Sequence, residues 1–501
     1  MSFDRDVAAL HAMHALRAPR LPVPTTIDDA TWADLDLDEV TASFGARRSV
    51  LGELSLLAWL RSPALSASQL PALNGRLAVA AALAAAPRAW TALAPALERL
   101  PHLPALLVEV LWGSARLPTL GRVPHGLSLA ALLAPAGLLV AAKVGAVLML
   151  AAFVANLLFH FWAQRRLSAA MGSVDFVGGL LAAARVAERH AAPGPWARLA
   201  ELSRSLAPLR RAVAEVTVPA LLDDFPAEHL RIYLLTRERR LSRCAELVDA
   251  RRAELRELWQ VLGDLDAAAA VAEFRASRAT CQAQLDPGAG ALELREARHP
   301  LLPAGVPNDL RLSDGLVITG SNMSGKSTFL RVVALNALLA QALGFACAAA
   351  FRGPFVRVAS ALRATDRLSE GRSAYLAEAR RVRELLALVG QEPRLLLVVD
   401  EPFRGTNSDE RVAAGVAVLR WARRAGALVL AATHDLEVSR LLAGDFRHAH
   451  FTDEPTGDGL RFDYRLRPGL AGPRNAVRLL AALGYPAGVL EDAAALLGTG
   501  R

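Results

Sequence analysis

At 501 residues, 53% of them hydrophobic, the chain has material for roughly two to four domains and needs no covalent staple to hold a core. Its three cysteines, Cys244, Cys281 and Cys347, are too widely spaced for a disulfide framework or a zinc cluster, which points to a reducing compartment. The net charge of +8 comes almost wholly from arginine, since Lys143 and Lys326 are the only lysines, and it suits a polyanionic partner (nucleic acid or an anionic membrane surface) or simply a solvated basic face.

The opening "MSFDRDVAALHAMHALRAPR" has no apolar core after a basic start, so no cleaved secretory signal is expected. Residues 45–120 place leucines at three- and four-residue spacing between Pro/Ser breaks, as packed helical hairpins do. From Gly126 to Trp162 follow 37 residues with one formal charge, Lys143, bounded by Arg122 and by Arg165–Arg166. A bilayer span takes about 20 apolar residues. Two short spans turning near Lys143, a single span over 144–162, and a buried hairpin in an alanine-rich domain all fit the run. Residues 165–286 read as long charged helices, partly coiled.

After "LDPGAG" the texture changes to short apolar runs, "GLVITG", "LLLVVDE" and "ALVLAATH", separated by helical stretches, which predicts a parallel sheet flanked by helices. The division expected is a helical part over 1–125, an apolar hairpin over 126–162, a second helical region over 163–290, and an α/β domain over 291–501 ending in a helical tail.

The chemistry concentrates in this last part. Gly320-Ser321-Asn322-Met323-Ser324-Gly325-Lys326-Ser327 matches G-x-x-x-x-G-K-[ST] between a strand-like and a helical run, the context a phosphate-binding loop requires, and Thr328 extends it. Backbone N–H groups at the helix start would face phosphates, Lys326 would reach the β/γ-phosphates of ATP, and the Ser327 hydroxyl would join Mg²⁺. "RLLLVVDE" adds Asp400 as a second Mg²⁺ group and Glu401 as the carboxylate that orients or deprotonates water. "LVLAATHDL" puts His434 at a strand end, where it could sense the γ-phosphate. Catalytic roles are thus expected of Lys326, Glu401 and His434.

In order and spacing, "TGSNMSGKST", "ATDRLSEGRSAYLAEARRV", "LLLVVDEPFRGTNSDER" and "AATHDLE" resemble the ATPase domain of the MutS family. "ARHPLL" and "LRFDYRLRPGLAG" are similar to its flanks, and the likeness extends weakly into the helical half. The resemblance implies a MutS-like, ABC-type ATPase domain preceded by core and lever helices, acting as a homodimer on DNA. It implies that Ser373 in "EGRSAY" reaches nucleotide in trans, that Arg404 couples the site to the partner, and that His299 lies near the nucleotide or packs locally. Ser324 stands where the family commonly has glycine. No Phe-x-Glu triplet occurs, so probing of mispaired bases is not expected, and the chain is short for an N-terminal recognition domain. The "LSGGQ" signature of transport ATPases is absent. The ATPase part is expected in the cytoplasm, with residues 126–162 as a candidate anchor in the inner (cytoplasmic) membrane. The competing reading is a membrane-tethered nucleotide switch that acts without DNA.

Overall fold

The computed structural model describes residues 7–20, 23–45, 49–190, 192–217, 230–321, 323–362, 374–403, 408–456, 459–470 and 484–498. It divides into two compact units, each assembled from separate stretches of chain.

The first unit, residues 1–21, 46–58 and 78–272, is helical among its described residues. Its axis is a 46-residue helix, Ala142–Ala187, whose C-terminal half buries Val174, Phe176, Val177, Leu180 and Leu181. Shorter helices, among them Pro87–Glu98, Ala105–Trp112, Pro195–Ser205 and Thr236–Ala250, turn their apolar stripes to that half. Trp112 and Trp259 meet edge to face at 4.8 Å, and the buried Arg17 guanidinium lies over both rings while donating to Gln260 Oε1 at 3.2 Å. Burial pulls Arg17 down to about 10 and pushes the Cys244 thiol up to about 12, which keeps that thiol protonated and inert.

Two helices approach closely enough to need glycine. A Cβ on Gly263, in the helix Arg252–Ala276, would stand 2.8 Å from the Leu51 carbonyl oxygen, and one on Gly52 would collide with the Asp266 carboxylate. That carboxylate, fully buried, accepts from the Ser49 backbone N–H at 2.9 Å and from its hydroxyl at 2.6 Å, where the helix Val50–Arg61 begins.

The apolar run 126–162 forms a helical hairpin. Helix Val123–Leu133 and a 3₁₀ stretch Ala134–Leu139 make one arm, the chain reverses at Val140–Ala141 beside Lys143, and the long helix returns as the second arm without a break at Trp162.

The second unit, residues 22–45, 59–77 and 273–501, carries the sheets. In chain order its strands are β1 (Cys281–Leu285), β2 (Leu292–Ala297), β3 (Asn308–Leu312), β4 (Gly315–Thr319), β5 (Phe345–Ala346), β6 (Ala350–Gly353), β7 (Arg357–Ala361), β8 (Leu395–Asp400), β9 (Leu428–Thr433), β10 (Arg447–His450), β11 (Asp453–Thr456), β12 (Gly459–Phe462) and β13 (Arg467–Pro468). The main sheet has the order β13-β10-β4-β9-β8-β7; its last five strands are parallel and only the edge strand β13 runs antiparallel. A smaller sheet has the order β3-β2-β6-β1-β5, and β11 and β12 form a hairpin.

This grouping departs from the linear division 1–125, 126–162, 163–290 and 291–501. Residues 22–45 and 59–77 belong with the sheets, and β1 precedes residue 290, in a stretch that reads as helix because "CQAQL" is short and lacks β-branched residues. What attaches the early segments is polar. Asp34 accepts from Ser360 Oγ at 2.8 Å and from Leu362 N–H at 2.9 Å, at the end of β7. Arg381 donates to Asp28 at 3.0 Å, to Thr31 Oγ1 at 2.8 Å and to the Ser360 carbonyl at 2.9 Å. Arg76 donates to the carbonyls of Ser62 and Ala342 at 2.9 and 2.7 Å.

His299 is buried, and its Nδ1 accepts from the Leu301 N–H at 3.2 Å. Burial first, and the Arg331 charge second, lower it to about 4.

Two outcomes follow for stability. Asp266→Ala strands two buried donors and should cost about 2–3 kcal/mol, the scale for hydrogen bonds to a charged group, read as a lower urea midpoint by circular dichroism. His299 binds its proton less readily folded than unfolded, so its contribution is complete above its ordinary value near 6.5 and is lost as the pH falls from there toward 4. His299→Gln should flatten the stability profile across that window, measured by thermal unfolding at pH 7.5 and 5.

Candidate functional site

Three strand ends meet at one edge of the main sheet. β4, "GLVIT", is buried along its whole length, as a parallel strand covered on both faces must be. It pairs in register with β9, Thr319 opposite Thr433, and β9 pairs with β8, Ala432 opposite Asp400. The parallel sense brings the three carboxyl ends together, the edge where open α/β sheets take their ligands.

The loop after β4 turns on two glycines, Gly320 at φ +149° and Gly325 at φ +100°. A Cβ on Gly320 would stand 2.6 Å from Ser324 Oγ and 3.1 Å from the Phe451 carbonyl oxygen. Ser324 does not share the positive φ; it is buried, and its hydroxyl closes the loop by donating to the Ser321 carbonyl at 2.8 Å. Gly325 leads directly into the helix Lys326–Leu343, so the unpaired N–H groups of an 18-residue helix begin at the loop.

Lys326 is buried, with Nζ donating to the carbonyls of Gly320 and Ser321 at 2.8 and 2.7 Å. Ser327 Oγ donates to the Asp400 carboxylate. Thr328 and Met323 face solvent. Past Asp400 the chain turns sharply: Glu401 takes φ +50° while its N–H donates to the Ala432 carbonyl at 2.9 Å. Glu401 Oε1 and His434 Nδ1 are 2.6 Å apart, the carboxylate largely sheltered and the imidazole half exposed. Glu401, Arg411, Thr433, His434 and Asp435 line a cleft of about 20 Å³, room for one water. Arg411 and Asp435 pair at 2.9 Å, and Asp435 caps the helix Leu436–Leu442.

The sequence-predicted residues Gly320, Ser321, Ser324, Gly325, Lys326, Ser327, Asp400, Glu401 and His434 therefore lie along one edge. Asn322, Ser373 and Arg404 lie outside the described residues. Tyr464 is a neighbour of the loop that sequence reasoning misses: a Cβ on Gly325 would stand 3.1 Å from its ring, and the Asn308 side chain holds its segment through the Tyr464 carbonyl at 2.9 Å and the Leu466 N–H at 2.7 Å. Its signal is its place in "LRFDYRLRPG", a flanking phrase with no ligand pattern of its own.

Chemically, the edge offers both signs of charge. The helix start and the Lys326 ammonium attract an anion, while the Ser327 hydroxyl and Asp400 carboxylate, already in contact, offer oxygen ligands to a hard divalent cation. Among the described residues no three His, Cys, Asp or Glu side chains converge on a metal position, so a cation here would be shared with ligand oxygens and water, as Mg²⁺ commonly is.

Residues 316–499 match the family described as MutS domain V. The chain is 34% identical over 281 residues to the DNA mismatch repair protein MutS of Thermus thermophilus, an alignment that covers 52% of this chain and 34% of that protein. It is 37% identical over 254 residues to the protein of the same name from Thermus aquaticus, 49% of this chain and 31% of that one. With the protein of that name from Natronomonas pharaonis it shares 34% identity over 264 residues, 50% and 30% of the respective chains. The chain thus spans about a third of the length of these relatives. The likeness to MutS proteins is carried by residues 316–499, which match MutS domain V, and extends over about half of this chain.

Proposed function

We propose that the sheet-bearing unit binds and hydrolyses Mg²⁺-ATP, and that a homodimer uses the cycle to reset a helical clamp on DNA. The observation that carries the reading is the Glu401–His434 pair standing at the same sheet edge as the Gly320–Ser327 loop and Asp400. The left-handed glycines let the loop backbone approach phosphate, and Lys326 exchanges its carbonyl partners for phosphate oxygens. Ser327 and Asp400 would hold Mg²⁺, which when bound neutralises charge on the phosphate oxygens. Glu401, tethered through Oε1 by His434, orients the attacking water and receives its proton. Tyr464 presents a partly exposed ring beside the loop, placed to flank the nucleotide.

The family likeness supports an ATPase and a dimer, and in a dimer Ser373 would complete the partner's site. DNA as the partner draws on the likeness to DNA mismatch repair proteins and on the net charge of +8. Classical base probing is not part of the proposal, because no Phe-x-Glu wedge is present.

Glu401→Gln should keep nucleotide affinity but slow turnover by about 10²–10⁴, the usual span for a general base, whereas Lys326→Ala should lose binding itself; fluorescent-nucleotide titration beside phosphate release separates the two, and unchanged turnover in Glu401→Gln would remove it from the base role. Steady-state hydrolysis with homoduplex, mismatched and branched DNA, corrected with Lys326→Ala, should rise with at least one DNA. Hydrolysis indifferent to all three, with no DNA binding at low salt, would overturn the clamp reading.

A further inference from the structure

The hairpin of the helical unit ends in apolar surface that stands exposed among the described residues. Leu139 and Val140 at its turn are 91% and 82% exposed. Within Ala142–Ser168, the most apolar 18-residue window has a mean hydropathy of 2.1, with 11% of that window buried. Val147, Leu148, Met149 and Leu150 are all exposed, and four consecutive helical positions at about 100° each sweep nearly a full turn. A protein partner covers a stripe of a helix; a surface apolar around its circumference is suited to lipid.

From this we infer that the hairpin inserts tip-first into a lipid bilayer, with both arms entering from the same side. Three further observations favour a bilayer over a second copy of the chain. The first is length: from Ala142 to Trp162 the second arm covers about 31 Å, against a hydrocarbon thickness of about 30 Å. The second is that polar side chains inside the run bond within the protein. Ser128 Oγ donates to the Pro124 carbonyl at 2.6 Å, Asn156 Nδ2 donates to the Tyr233 carbonyl at 2.5 Å, and His160 pairs with Glu238 at 2.6 Å, while Asn156 Oδ1 is left buried without a partner. The third is the arrangement of charge. Arg122 precedes the first arm and Arg165 and Arg166 follow the second, all exposed, with the Arg166 guanidinium 5.4 Å from the Trp162 ring.

The arms are antiparallel, so these arginines gather at the open end of the hairpin, where Trp and Arg sit at a headgroup layer. Just beyond, the long helix borders an open cleft of about 390 Å³ lined by Gln164, Arg237 and Glu238 together with the apolar Leu167, Met171 and Leu241. Lys143, next to the reversal, is the deepest charge and reaches on toward the far headgroups by its flexible stem. The arginine collar selects anionic phospholipid.

The test adds full-length protein from dilute detergent to preformed vesicles of phosphatidylethanolamine and phosphatidylglycerol, or of phosphatidylcholine, and floats them on a density gradient. The protein should float with both and partition more strongly with the anionic vesicles, and Arg165→Ala with Arg166→Ala should weaken that preference by about fivefold per arginine. Val147→Asp with Leu150→Asp, exposed positions whose change leaves the fold intact, should abolish flotation. In the same vesicles a membrane-impermeant maleimide should label Ser168→Cys at once and Lys143→Cys only after detergent, read by peptide mass. Soluble protein that does not float, Lys143→Cys labelled as fast as Ser168→Cys, or a hairpin-dependent oligomer that ignores vesicles would each overturn the inference.

Discussion

Everything at the candidate site depends on parallel pairing. Because β4, β9 and β8 run in the same direction and in register, the residues that leave them, Gly320, His434 and Asp400–Glu401, emerge side by side although more than a hundred positions separate the first from the second. A parallel sheet needs cover on both faces, which is why the three strands are unbroken apolar runs, and why their first polar residues come where the strands end. The burial that stabilises the sheet also decides where chemistry can stand. The sharp turn at Glu401, a non-glycine residue at φ +50°, is local strain that this rigid edge sustains.

Around the edge, polar side chains bind irregular backbone to the regular core. Asn336 accepts from the Cys347 N–H at 2.6 Å, and Gln341 both donates to and accepts from Val356, at 3.0 and 2.7 Å, so the helix that starts at the loop is fixed at its far end as well. Asp34, Asp28 and Arg381 do the same for β7 and the helix Ala374–Leu386, which follows Ser373 in the chain. Each such bond satisfies a backbone group that loop geometry leaves open, and each would leave a costly unpaired group if one partner were removed.

How much of this was legible in the sequence depended on whether the signal was local. "GLVIT", "LLLVVD" and "LVLAAT" declared themselves by composition and length, and the glycine-lysine spacing declared the loop. The helices of the first unit and the reversal near Lys143 were readable from periodicity and from one interrupted apolar run. The attachment of residues 22–45 and 59–77 to the sheets was not, because a carboxylate that caps a strand more than three hundred residues away leaves no spacing to find. β1 was hidden by a five-residue alternation built on Cys, Ala and Leu. For His299 the sequence left two places open, and burial with a neutral ring reports packing. Tyr464 lay in a recognised phrase, but only the built loop shows that its ring abuts Gly325.

The two lysines carry a consequence of a different kind. Lys326 has its ammonium folded onto two loop carbonyls, and Lys143 sits at the reversal of the hairpin. With arginine supplying nearly every other cation, each unit holds a single side-chain amine. Lysine acylation, which on most proteins is spread over a surface, here has two addresses of unlike reach, one buried beside the glycine loop and one exposed at the tip of the hairpin.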